Sequence, residues 1–291
     1  MHNFQRSKIL NICLIMMVFT VSCTEKIELP LDTTEPYLVV NAIITTDTAE
    51  HIVQLYKTAD FYNSEVPEPI SNAQVTLMAR DRTILLAEDP ACRGTYATSP
   101  EFYGEIGQTY ILQIEQVDIN NDGIMETYSA ENTIAPINQI DSIKVEAFEA
   151  GEHTGVHVIV FYPDPPGPNY YLFKTYINDV LISDSLHEWQ IANDLLFDGG
   201  YVNGLPWQWL DADDKEDERL FAGDTVMFEM NSIDKGYFDY IAQMYAEISH
   251  NPLMSGPPAN IVPNISGRAV GYFACYSVSR KCIVLKNDLL Q

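Results

Sequence analysis

Three oxygen-bearing side chains stand at alternate positions in Asp118-Ile119-Asn120-Asn121-Asp122-Gly123. That spacing lets positions one, three and five of a loop converge on a calcium ion while the glycine permits the turn. Position twelve is Ser129, where such loops carry a bidentate Glu. The segment also joins two alternating stretches, so a plain hairpin turn accounts for the same Asn, Asp and Gly and is the commoner reading. If an ion binds here, Asp118, Asn120 and Asp122 are its ligands. A denser run, Asp211-Ala212-Asp213-Asp214-Lys215-Glu216-Asp217-Glu218, puts six carboxylates in eight residues. Mutual repulsion raises pKa values in such a run and suits a cation, although most acidic runs are solvated loops. Just before it, Tyr201, Trp207 and Trp209 surround Gly204 and Pro206. Aromatics on a Gly/Pro loop beside carboxylates suit stacking on a sugar ring or docking on a protein, while core packing is the commoner role for at least one of the tryptophans.

Other combinations carry less. His153 and His157 have the spacing of a helical metal pair, but 156–162 reads as a strand, along which residues four apart stand about 13 Å from each other. No G-x-S-x-G, P-loop or G-x-G-x-x-G occurs, so no catalytic residues are assigned and a non-enzyme is expected. A glycan hydrolase using acids near Trp207 and Trp209, such as Asp211 and Asp213, is the alternative, because carboxylate separations are invisible in a sequence. Forty-one Asp and Glu against sixteen Lys and Arg give a net charge of -25, which repels a phosphate backbone and excludes nucleic acid as a partner. The charge is spread evenly, at -14 over residues 24–135 and -13 over 136–291.

The elements that must position these groups are mainly strands. Seventeen Tyr, twelve Phe, 15 Gly and 16 Pro favour strands and tight turns. Strand patterns over 37–44, 51–57, 73–78, 83–88, 109–116 and 126–134, separated by Gly and Asp/Asn/Pro clusters, describe a β-sandwich of the immunoglobulin or transthyretin-like kind over residues 37–135. A boundary is expected near Pro136. Beyond it, strand-like stretches at 141–148, 155–162, 170–177 and 225–230 form a second β-rich domain, 136–291. Its one helix, 234–249, carries Tyr237, Ile241, Met244, Tyr245 and Ile248 at three- and four-residue spacing, with Ser232 or Asp234 as cap. A two-residue turn at Val278-Ser279 closes a final hairpin. It would set Cys275 opposite Cys282, where a disulfide is one reading and free thiols another.

The N-terminus locates the protein. Arg6 and Lys8 precede the 13-residue apolar stretch 9–21, too short to span about 30 Å of hydrocarbon comfortably and matched to a signal-peptide core. Ser22-Cys23 then resembles a bacterial lipobox, with Thr20 where Leu is commoner. Residues 1–22 are thus expected to be cleaved and Cys23 to be acylated, with 23–36 as anchor and spacer. Affinity for the bilayer then comes from buried acyl CH₂ groups, since an acidic body gains nothing from anionic headgroups.

Taken together, this cysteine, Pro36-Tyr37-Leu38-Val39-Val40-Asn41-Ala42, the stretch 70–77, Asn251-Pro252, Pro257-Pro258, Asn264-Ile265-Ser266-Gly267 and Gly271-Tyr272-Phe273-Ala274 resemble the Bacteroidota outer-membrane lipoproteins grouped as "domain of unknown function 4249". The resemblance covers nearly the whole mature chain. It implies an immunoglobulin-like first domain, a second β-rich domain, no established enzymatic activity and partnership with a TonB-dependent outer-membrane transporter. The expected function is accordingly a lipid-anchored outer-membrane binding protein that assists nutrient uptake. Its alternatives are the surface glycan hydrolase and an adhesive or structural protein stiffened by calcium at Asp118, Asn120 and Asp122.

Overall fold

The computed structural model describes residues 35–58, 67–80, 82–150, 153–183, 185–210, 218–248 and 261–286. The expectations for the signal, for Cys23, for most of the spacer, for the acidic run 211–217 and for 251–258 lie outside the described residues. The chain is mainly β, with one α-helix among the described residues. In order come β1 (Leu38–Thr45), β2 (Ile52–Lys57), β3 (Gln74–Ala79), β4 (Arg82–Leu85), β5 (Ala87–Glu88), β6 (Thr95–Ala97), β7 (Thr109–Val117) and β8 (Glu126–Thr133). They are followed by β9 (Ser142–Ala150), β10 (His153–Pro163), β11 (Tyr170–Ile177), β12 (Val180–Leu181), β13 (Gln190–Asn193), β14 (Tyr201–Leu210), β15 (Thr225–Ile233), helix α1 (Lys235–Ile248) and β16 (Ala269–Val284).

Alternation builds the first core. Leu38, Val40, Ala42 and Ile44 on β1 and Leu112 and Ile114 on β7 are fully buried, while their neighbours along each strand are at least partly exposed, the period-two pattern of a strand with one face on a core. The sheet β4-β3-β7-β8 packs against β1, β2 and the first part of β16, and Phe273 and Cys275 from β16 join the cluster. The second core lies between the three-stranded sheet β14-β10-β9 and strands β11 and β15. Val158, Val160 and Tyr162 meet Tyr171, Phe173 and Phe228 there. On the other face of β11, β15 and β16, α1 lays Tyr237 and Ile241 against Leu172, Tyr272 and Tyr276. Asp234 is its cap: the carboxylate accepts from the N–H of Gly236 at 3.0 Å and of Tyr237 at 3.3 Å, satisfying donors that a helix start leaves open.

The expected C-terminal hairpin is overturned. Val278 and Ser279 are not a turn; they pair with Asn231 and Met230 inside the 16-residue strand β16. Its first half runs parallel to β1 from Ala269 to Tyr276, and its second half runs antiparallel to β15 from Ser277 to Val284. Seven residues of extended chain hold Cys275 and Cys282 about 23 Å apart, with odd spacing that points them to opposite faces. The disulfide therefore has no geometry. Cys275 is a buried thiol in the first core, and Cys92 and Cys282 are exposed and free.

The second cluster is lined by residues beyond 135 alone, but the first takes Ile265, Ala269, Phe273 and Cys275 from beyond it, so the nine-stranded sheet passes through the expected boundary. Parallel pairing of β1 with β16 demands Gly271, whose φ is +100° and whose added Cβ would lie 1.9 Å from the Val40 carbonyl oxygen. At the handover, Ser277 Oγ donates to the Ala135 carbonyl at 2.6 Å and the Ile140 N–H donates to Ser279 Oγ at 2.9 Å, tying the connection to the strand. Arg280 completes the joint. Its guanidinium reaches Asp47 at 2.6 and 2.7 Å, and its Nε reaches the buried Glu229 at 2.7 Å, with Lys174 at 3.6 Å from the other Glu229 oxygen. The Arg280 hydrogen bond holds the Asp47 carboxyl below the usual carboxylate range against the opposing effect of burial.

Candidate functional site

The three aromatic residues expected to act together are separated by the strand that carries them. Along β10 and β14, His157 pairs with Trp209 and Val158 with Gln208, but Ile159 pairs with Pro206. Trp207 is the extra residue of a β-bulge, which breaks the alternation and sends Trp207 and Trp209 to opposite faces. Trp207 goes inward, its ring 4.4 Å from Phe173 in the second core. Trp209 goes outward. Tyr201, at the far end of β14 and roughly 25 Å from Trp209 by strand rise, is exposed and donates its hydroxyl to Asp141 at 2.9 Å.

Outside the sheet, Trp209 belongs to a different group. Phe148 and His157 stack with centroids 4.6 Å apart, and Trp209 meets them edge-on at 5.0 and 4.9 Å. Gly155 creates the room: a Cβ there would sit 2.6 Å from the indole Cζ2. Phe148 remains 41% exposed, so the group offers an aromatic face to solvent with its geometry already set. Alternation of β9 and β10 was the signal for Phe148 and His157, which sequence reasoning did not join to Trp209 because strand register was unknown.

The loop between β7 and β8 folds as a self-satisfied turn. The Asp118 carboxylate accepts from the N–H of Asp122 at 3.0 Å and of Gly123 at 2.9 Å, and Asp122 accepts from Ile124 N–H at 2.7 Å. Asn120 turns its amide nitrogen toward Asp122 at 3.0 Å, which presents a donor where an ion needs an oxygen. Ser129 is engaged elsewhere, bonded to Ser266 through backbone and hydroxyl. Each of the three candidate ligands thus serves the hairpin.

A group of carboxylates that sequence reasoning missed lies at one end of the second core. Asp164, Asp194 and Asp198 each bring one oxygen within 4.8 Å of the others, from the loop after β10 and the turn after β13. The Pro/Gly-rich segments 163–168 and 199–200 were its local signal; their meeting depends on β11, which pairs with β13.

No curated protein matches the chain. A family model, "Domain of unknown function (DUF4249)", matches residues 24–282, and the chain belongs to that family.

Proposed function

We propose that the chain is a lipid-anchored binding protein of the outer membrane, working beside a TonB-dependent transporter in nutrient capture or uptake. The preformed aromatic face of Phe148, His157 and Trp209 carries the binding reading, because an exposed Phe148 ring held in place by two half-buried rings is what a docking or stacking surface requires. The anchoring reading is supported by the leader pattern that ends at Cys23 and by a family match that begins at the next residue. The transporter comes from the resemblance to outer-membrane lipoproteins. Among the described residues no helix is long and apolar enough to cross a membrane.

The test is affinity purification of the tagged chain from its native membrane in mild detergent. Mass spectrometry should find a diacylglyceryl-modified Cys23 and a co-purifying transporter, and Phe148→Ala with Trp209→Ala should lose the transporter at unchanged melting temperature. An unmodified sulfur overturns the anchor, and a transporter retained by the double variant overturns the aromatic face.

A further inference from the structure

We infer that the cavity between the β3–β4 hairpin and the segment leading into β7 binds an acidic sugar, a pyranose ring that carries a carboxylate. The cavity measures about 430 Å³, within the roughly 300–1,000 Å³ of small-molecule sites. Arg80 and Arg82 line one side, at the tip of the hairpin, where Ala79 pairs with Arg82. Tyr103, Glu105, Gln108 and Tyr110 line the other.

The far wall is fixed before any ligand arrives. Gly104 N–H donates to the Thr45 carbonyl at 2.8 Å, and Gly107 N–H donates to the Ile134 carbonyl at 2.8 Å. Glu105 N–H donates to the Tyr110 hydroxyl at 2.9 Å, and the Phe102 ring meets Tyr110 edge-on with centroids 6.2 Å apart. On the near wall, Arg80 holds a φ of +49°, a left-handed conformation that turns accommodate best with Gly, Asn or Asp.

The charges on the two walls are not spent within the chain. With 41 Asp and Glu against 16 Lys and Arg, cations are scarce, and elsewhere they meet carboxylates: Arg268 reaches Glu35, and Arg280 reaches Asp47 and Glu229. Arg80 and Arg82 are exposed and have no ion pair or hydrogen bond among the described residues. Glu101, also on the cavity, accepts from the Ser99 hydroxyl, whereas the Glu105 carboxylate has no such partner among the described residues.

Two buried polar side chains supply a separate observation. Gln108 is 6% exposed; its amide nitrogen donates to the Thr109 carbonyl, which leaves its Oε1 without a partner among the described residues. Tyr110 is 2% exposed; its hydroxyl accepts from Glu105 N–H, and its own proton has no acceptor among the described residues. Side chains this deeply buried nearly always have their polar groups satisfied, so an unused acceptor and an unused donor on the wall of one cavity call for a polar occupant.

These groups select the ligand class. A guanidinium fork takes a carboxylate bidentately. Glu105 and Gln108 Oε1 accept from hydroxyls and Tyr110 donates to one. Tyr103, 54% exposed, offers a ring on which the C–H face of a pyranose lies. A neutral sugar leaves both guanidinium groups unused, and inorganic phosphate has no apolar face for Tyr103; an acidic sugar uses every group. Binding here requires neither the anchor nor the transporter, and it is gained or lost independently of the Phe148 face.

The test is isothermal titration calorimetry of the full chain with glucuronate, glucose and inorganic phosphate. Glucuronate should bind about tenfold more tightly than either of the others. Arg82→Gln, an exposed change, should weaken glucuronate about tenfold at unchanged melting temperature, and Tyr103→Ala should weaken it about fivefold. Arg93→Gln, which removes the same charge from the same sandwich outside the cavity, should leave the affinity unchanged. Absence of glucuronate binding, glucuronate no tighter than glucose or phosphate, an affinity that survives Arg82→Gln or Tyr103→Ala, or an equal loss in Arg93→Gln each overturns the site.

Discussion

Tyr96 in the first sandwich and Tyr162 in the second are both buried to 1% exposure or less, yet their hydroxyls have opposite fates. Tyr96 donates to the Ile70 carbonyl at 2.9 Å and accepts from Ala73 N–H at 2.9 Å, so the group is closed by the backbone leading into β3. Tyr162 has no such backbone closure and faces the Trp207 indole N–H, which has no other partner among the described residues. The same division runs through the loops. The acids of 118–122 are consumed by their own backbone, whereas those of 164, 194 and 198 come together from separate turns. The core of the first sandwich is built as a scaffold and the second holds most of the unspent buried polar groups, together with the outward aromatic face. A polar group left over by folding is the better pointer to function than a dense cluster in the sequence.

Because β16 serves both sandwiches, the comparison breaks most severely at Gly271. Gly271→Val should cost more than about 4 kcal/mol, since a Cβ at 1.9 Å from the Val40 oxygen requires β1 and β16 to separate. Circular dichroism melts should show both sandwiches lost together; survival of the second would mean that the shared strand does not couple them.

Arg280→Gln comes next, at roughly 2 kcal/mol, because Glu229 stays buried with Lys174 as its remaining cation among the described residues and with Asn231 donating to it at 3.0 Å. The change should also alter acid sensitivity. The folded Asp47 carboxyl sits below its ordinary value of 3.8, so its contribution is complete above that value and lost as pH falls through the folded one. The variant should lose that portion of the slope. It should keep the decline that begins near pH 6.5, where burial holds His51 below its ordinary pKa and the unfolded chain takes up the proton first. Urea melts across pH 7 to 3 separate the two.

The tyrosine contrast is sharpened by a matched pair. Tyr96→Phe should cost about 1–2 kcal/mol by stranding Ile70 O and Ala73 N–H. Tyr162→Phe, which removes at most a weak contact with the Trp207 indole N–H, should change stability by no more than about 0.5 kcal/mol. Equal losses in chemical denaturation would erase the distinction. Gly155→Ala perturbs the second sandwich alone: the new methyl meets the Trp209 indole at 2.6 Å and the Leu210 carbonyl oxygen at 2.9 Å, so the readout is a red-shifted Trp209 emission with a lowered melting temperature.

Much of the architecture was legible before any coordinates. Alternation marked β1, β7 and β10 because a strand with one buried face writes its burial into every second residue, and the i, i+4 spacing of Tyr237 and Ile241 marked the helix. The hairpin at Val278-Ser279 failed because a strand paired along its whole length has the same local composition as two strands joined by a turn. Only partners far away in sequence, β1 and β15, decide which it is. Trp207 and Trp209 failed for a related reason, since a bulge depends on the register of the neighbouring strand.

The sequence by itself determined the β character, the helix, the acidity and the family, because these follow from composition, local periodicity and contiguous motifs. Tertiary structure alone decided which acids meet, which tryptophan faces water and whether two cysteines can touch. Those outcomes rest on strand pairing between residues tens to hundreds of positions apart, and no local signal encodes the energy of such a pairing.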